Sequence, residues 1–316
     1  MRTRFYFRLV GLWFACIKAQ PSGFVKGERQ IFLLRPLTMF SQFDTMEAEN
    51  FPGKRGLDMI LTMDIGNGAV VFCCVERGRR LHKFVLSSVP ERTADEYAAL
   101  MDLLTRHAGL ELRDIQGAIA ASVVPRLTPV LCRAVEQLSG QVPLVVGPGV
   151  RTGLNIRMDD PTELGGDLVA AAVAALDRYP LPCVVVDMGT ATAIGVVDRS
   201  GCYVGGLICP GMALSSSSLA EEASQLHDIS LEPPKRVIGR NTRDSMRSGI
   251  LHGTAAMLDG LFARIEAELG APVHVAITGD GAADVTPLCR HERVRLDEDL
   301  VMRGLWKIYC KNRDVS

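Results

Sequence analysis

The sequence lacks any run of roughly eighteen consecutive apolar residues, the length a membrane-spanning helix needs. It also lacks net charge: 35 Lys and Arg stand against 36 Asp and Glu, for −1 at pH 7. A nucleic-acid surface needs a clustered basic excess, and none is visible. Neither a membrane nor a nucleic acid is therefore expected as a partner. Among nine cysteines there is no C-x-x-C, which removes the usual paired-thiol signature of metal or redox sites. Cys73, Cys74 and Cys183 sit inside apolar segments and read as small core hydrophobes of a reducing, cytoplasmic protein.

What is present divides in two. Residues 1–58 show no sustained periodicity of either kind. They open with basic residues followed by a short apolar stretch, the order of a signal peptide. Arg8 interrupts it, however, and no clean small-x-small cleavage site follows. The segment is read as an N-terminal extension that is disordered or reflects a mis-assigned start, with Met59 the first residue of the fold.

From Met59 the pattern is regular. "MILTMDIG", "AVVFCCVERG" and "RRLHKFVLSS" read as strands joined by tight turns, and "ADEYAALMDLLTRHAG" as a helix stopping at Gly109. A strand ("IQGAIAASVV"), a helix ending at Gly140, a strand ("VPLVVG") and an Ala-rich helix from "TELGGD" to Tyr179 follow. The second half repeats the plan: three strands, a helix over "MALSSSSLAEEASQL", a long helix from Thr242 to Leu269, the strand "VHVAITG" and a closing helix.

The two strand openings align without a gap: Asp64 with Asp187, Gly66 with Gly189, Asn67 with Thr190, and the hairpin glycines Gly78 with Gly201. An internal repeat of this kind predicts two similar α/β domains, 59–180 and 181–316, facing across a cleft. Glycine at a turn lets backbone N–H groups approach a ligand, and Asn67, Thr190 and Thr192 add side-chain donors. Two such turns facing each other suit a polyphosphate, and an acid on each strand can hold a cation that offsets its charge. Asp167 follows two glycines at a helix start, where a carboxylate can accept a hydroxyl proton.

The strings "DIGN", "PGVRTGL", "ELGGD", "VDMGTAT", "YVGGLICPG", "IGRNTRDSMRSGI" and "ITG" occur in the order and spacing of one branch of the actin–hexokinase superfamily. The chain thereby resembles the type III pantothenate kinases. The resemblance implies duplicated ribonuclease H-like domains and ATP-dependent phosphorylation of pantothenate to 4'-phosphopantothenate, the first step of coenzyme A biosynthesis. It implies ATP phosphates held by Asp64, Ile65, Gly66, Asn67, Gly68, Ala69, Val70 and Val71, with Thr190 also on the nucleotide. Mg2+ would lie near Asp64, directly or through water, and a monovalent cation, K+ or NH4+, at Asp187. Asp167 matches the catalytic acid. By the same resemblance, Met158, Gly165, Gly166, Asp167 and Leu168 would line pantothenate, and Thr242 would reach it across a homodimer interface.

Four positions depart from the family pattern: Gly68 for a usual Thr, Leu168 for Arg, Met158 for Tyr and Asp280 for Gly. A charge-assisted hydrogen bond contributes roughly 1.5–3 kcal/mol. Losing the Arg thus costs on the order of ten- to a hundredfold in binding. An active kinase, a catalytically silent paralogue with a binding or regulatory role, and a kinase for another small hydroxyl substrate remain open at this point.

Overall fold

The computed structural model describes residues 59–77 and 79–313. The expectations for residues 1–58 and for Gly78 lie outside the described residues.

Strands β1 (Ile60–Ile65), β2 (Ala69–Glu76) and β3 (Arg79–Ser87) form an antiparallel meander. Helix α1 (Ala94–His107) opens with a reciprocal cap. Thr93 Oγ1 accepts the Glu96 N–H at 3.3 Å, and the Glu96 carboxylate accepts the Thr93 N–H at 2.7 Å. β4 (Ala118–Ser122) runs parallel to β1, and α2 (Thr128–Ser139) ends on left-handed Gly140. β5 (Leu144–Val145) completes a sheet of order β3-β2-β1-β4-β5.

After β6 (Asn155–Ile156) and α3 (Gly166–Arg178), the meander recurs as β7 (Cys183–Met188), β8 (Ala191–Val197) and β9 (Cys202–Pro210). Helices α4 (Met212–Glu222) and α5 (Thr242–Leu269) follow, then β10 (His274–Gly279), α6 (Ala282–Val285), β11 (Val294–Leu296) and α7 (Leu300–Arg313). The second sheet has the order β11-β10-β7-β8-β9-β6. Apart from β6 at its edge, it repeats the first: a meander whose first strand is extended on its free side by two successive parallel strands. The architecture is α/β, with a meander and its two added parallel strands occurring twice.

Strand alternation distributes the core among three layers. Leu61, Met63 and Ile65 of β1 pack with Tyr97, Met101 and Leu131 of α1 and α2. On the other face, Ile60, Cys73 and Val75 meet α3 and α7, which also receive Cys183, Val185 and Val197 from the second sheet. Val184, Val186 and Met188 pack against α5. Helices α3 and α7 are therefore shared between the sheets. This explains why α3 is Ala-rich: Ala170, Ala171, Ala172, Ala174 and Ala175 are wholly buried, and a middle layer leaves little width. A Cβ on Gly304 of α7 would collide with the backbone of Ala170, so the two helices cross at backbone distance.

The structure adjusts three sequence readings. The helix expected from Thr162 begins at Gly166; Pro161–Glu163 is instead a 3-10 turn in which the Thr162 N–H donates to the Asp160 carboxylate at 2.9 Å. The helix over "MALSSSSLAEEASQL" ends at Glu222. The gapless repeat conceals a slip. Asp64 faces Val71, but Asp187 faces Ala193, so the second hairpin's first turn is one residue shorter. The next turn compensates: residues 199–201 lie between Asp198 and Cys202, where only 77 and 78 lie between Glu76 and Arg79.

Candidate active site

Asp64 and Asp187 occupy the same place in their strands, one residue before the end of β1 and of β7. The chain turns immediately afterwards. Gly66 N–H closes the first turn on Ala69 C=O at 2.9 Å, and Gly189 N–H closes the second on Ala191 C=O at 3.0 Å. The tips Asn67, Gly68 and Thr190 are exposed. They face each other: a Cβ on Gly68 would lie 3.6 Å from Thr190 Oγ1. The side chain absent at Gly68 therefore leaves a gap between two opposed turns.

Asp167 is set by packing. A Cβ on Gly166 would stand 3.3 Å from Val146 Cβ and 3.5 Å from Ala121 Cα, so the start of α3 lies against β4 and the end of β5. A Cβ on Gly165 would strike the Asp167 carboxylate. That carboxylate accepts the Leu168 N–H at 2.7 Å.

The three acids converge electrostatically. Burial raises the Asp64 carboxyl well above its ordinary value, and the charges of Asp187 and Asp167 raise it further. Burial, then Asp167 and Asp280, push Asp187 up to about 7. Asp167 is raised by burial, against the lowering effect of the Leu168 N–H. A cavity of about 290 Å³ lies between the halves of the fold, lined in part by Asp64, Val71, Lys83, Asp187, Asp280 and Glu298. Gly279 closes one side. Its φ of 91° suits glycine, and a Cβ there would come within 2.6 Å of the Asp187 carboxylate.

Like-charged acids raised by burial and by each other are relieved by a cation, so the donor set fits a hard, oxygen-seeking ion. Among the described residues no three carboxylate, imidazole or thiol groups stand close enough to hold a metal by themselves. Such an ion would complete its shell with phosphate oxygens and water, the usual habit of Mg2+.

Not every candidate enters this cleft with its side chain. Ile65 and Val70 are fully buried in the core beneath α1 and α2, which leaves only their backbone to a ligand. Ala69 is half-buried at the turn. Thr192, expected among the donors, is 1% exposed, so its hydroxyl is not offered at the turn. Register explains this: Ala193 pairs with Asp187, so Thr192, paired with Met188, projects to the opposite face. Met158 and Leu168 are half-buried against the shared α3/α7 core. Thr242, at the exposed start of α5, lines a separate groove with Pro210, Met246, Gly249, Gly253 and Met257. Within one chain it does not line the cavity of Asp64 and Asp187.

Sequence reasoning passed over Lys83, Asp284 and Glu298, which also line the cavity. Lys83 carried a faint signal, standing two residues before Val85 on a strand of period two. Glu298 had none, because it lies between short β11 and α7.

The family model described as type III pantothenate kinase matches residues 60–264. The type III pantothenate kinase of Halalkalibacterium halodurans is 38% identical over 254 residues, covering 80% of this chain and 100% of that protein. Its counterpart in Dehalococcoides mccartyi is 39% identical over 257 residues, covering 81% and 99%. The one in Myxococcus xanthus is 39% identical over 254 residues, covering 80% and 99%. Among solved structures, a conserved Baf-family protein from Campylobacter jejuni has a TM-score of 0.53 at 20% identity, over 81% of this chain and 100% of that one, a likeness of fold alone. With the family model matching well over half its length and these relatives covered almost end to end, this chain belongs to the type III pantothenate kinase family.

Proposed function

We propose that the two facing turns hold the phosphates of ATP while Asp167 orients the primary hydroxyl of pantothenate for attack on the γ-phosphorus. Family membership makes the chain an ATP-using phosphotransferase acting on an alcohol group. The products are ADP and 4'-phosphopantothenate, and the reaction opens coenzyme A synthesis. The observation that carries the site reading is the convergence of Asp64, Asp187 and Asp167 beside the two opposed turns.

The roles divide by location. Backbone N–H groups at the turn tip, Asn67 and Gly68, and the side chains of Asn67 and Thr190 cradle phosphate oxygens. Asp64 would hold Mg2+ and Asp187 a monovalent cation; bound there, the ions would offset phosphate charge. Asp167 accepts the hydroxyl proton, and in a loose transition state its main work is to orient the nucleophile. Asp64 and Asp187 lining one cavity, within electrostatic reach of Asp167, speak against a silent paralogue. Residues 59–180 and 181–316 act as the two walls of the cleft, in a cytoplasmic enzyme. No helix among the described residues is long and apolar enough to cross a membrane.

The test is steady-state ADP release with pantothenate, beside nucleotide affinity by calorimetry. Asp167→Asn keeps size and loses basicity. It should cut kcat by about 10²–10⁴-fold, the contribution of a positioned base, and leave ATP binding nearly intact. Unchanged turnover would remove Asp167 from the mechanism.

A further inference from the structure

We propose that Lys83 is a nucleotide-binding residue whose ammonium pairs with the phosphates of ATP. The inference rests on reading the Asp64–Asp187 cleft as the nucleotide site. Its geometry comes from strand register. Asp64 of β1 lies opposite Val71 of β2, which lies opposite Val85 of β3. The neighbouring rank on the same face is Thr62, Cys73 and Lys83. Side chains two residues apart on a strand share a face. Lys83 therefore stands on the face that carries Asp64, one rank away, and it lines the same cavity.

The cavity needs such a group. Its lining includes the carboxylates of Asp64, Asp187, Asp280, Asp284 and Glu298, and among the described lining residues Lys83 is the only cation. A polyanion entering there meets like charge unless positive charge is supplied. Diffusible cations supply part of it, and Lys83 is a part fixed to the protein. Its ammonium donates to the Glu298 carbonyl at 3.2 Å, which anchors it at the cavity wall. That bond uses one of three donors and goes to a neutral acceptor, so two donors remain for phosphate oxygens. The charge is already felt across the site, opposing part of the rise that burial and the neighbouring acids impose on Asp64 and Asp187. Lysine commonly binds phosphate in this way, as a point charge. The competing role is that of an edge-strand lysine that merely discourages sheet pairing. β3 is an edge strand, but Lys83 is half-buried while its neighbours Leu81 and Val85 are exposed.

The experiment uses the full chain with Mg2+ present. A non-hydrolysable ATP analogue and adenosine are titrated by calorimetry into the parent, Lys83→Met, Lys83→Arg, Asp64→Asn and Asp187→Asn. Lys83→Met should weaken the analogue roughly ten- to a hundredfold, the effect of one charge-assisted hydrogen bond. Adenosine binding and the melting temperature should not change, and Lys83→Arg should recover most of the loss. KM for ATP should rise by the same factor, with KM for pantothenate unmoved. Parent-like analogue affinity in Lys83→Met, or equal losses for analogue and adenosine, would overturn the proposal. The two aspartate variants separate its failure from that of the site. If they alter analogue binding and Lys83→Met does not, Lys83 alone is misassigned. If none of the three alters it, the nucleotide lies elsewhere and both readings fall.

Discussion

At the scale of the residue, burial sets the chemistry. Desolvation is the largest influence on each of Asp64, Asp167 and Asp187, and in each case it disfavours the charged form. For Asp167 this has a sign. A base must be deprotonated, and a raised carboxyl protonates at higher pH than an exposed one. The acid limb of the kcat profile should therefore lie above the ordinary carboxylate range, and Asp167→Asn should abolish that limb. A limb at the position of an exposed aspartate would contradict the burial argument. Leu168 tests specificity. It packs against the α3/α7 core one residue after Asp167, where an arginine could lay its stem on the same apolar surface and leave its head exposed. Leu168→Arg should lower KM for pantothenate roughly tenfold by adding a charge-assisted bond. An unchanged KM would mean that the substrate's carboxylate does not approach this position.

At the scale of the element, the pair α3 and α7 joins the two sheets. Its approach depends on Gly304, since any side chain there meets the backbone of Ala170. The segment leading into α7 ties in further elements. Asp299 pairs with Arg80 of β3, and Asp297 accepts the Tyr179 hydroxyl at 3.2 Å and lies 3.5 Å from the Arg303 guanidinium. Overpacking a close core contact costs about 1–3 kcal/mol. Gly304→Val should cost at least that in chemical denaturation, because backbone at the contact cannot swing aside as a side-chain tip can. An unaltered denaturation midpoint would show that the helices separate freely. Helix α5 serves two faces. Leu258 and Ile265 are buried in the protein's own core, Gly249, Gly253 and Met257 line the groove beside α4, and Ile250 belongs to both.

At the scale of the whole molecule, Thr242 lines the α4–α5 groove while Asp167 lies at the other helix start, against β4. We propose that a substrate reaching both does so with Thr242 supplied by a second copy of the chain. The groove offers Gly249 and Gly253, which leave space for close approach, with Leu219 and Met257 as apolar walls. A homodimer is therefore expected. Light scattering at micromolar concentration should return twice the mass of the 316-residue chain, and a monomeric mass with full activity would rule the arrangement out.

The sequence by itself determined what depends on short-range pattern. Period-two strands, helices with their glycine stops, and the repeated Asp-x-Gly turns were legible because each is written within a dozen residues. So were Asp64, Asp187 and Asp167 as the acids to watch. Strands β6 and β11 and helix α6 escaped because elements of two to four residues have no period to read, and none stands in an apolar run such as the one that marked β5. Only the tertiary structure decided which side chains face the cleft. Thr192 turned inward because a turn one residue shorter moved its register, and in a strand one residue exchanges the two faces. Only the tertiary structure, too, brought Lys83 and Glu298 to the same cavity, since residues 215 apart in the chain meet through the stacking of β3 against the approach to α7. Local pattern fixes direction along an element; which elements become neighbours is decided by the burial of faces the pattern leaves apolar, and the site forms where those neighbours end.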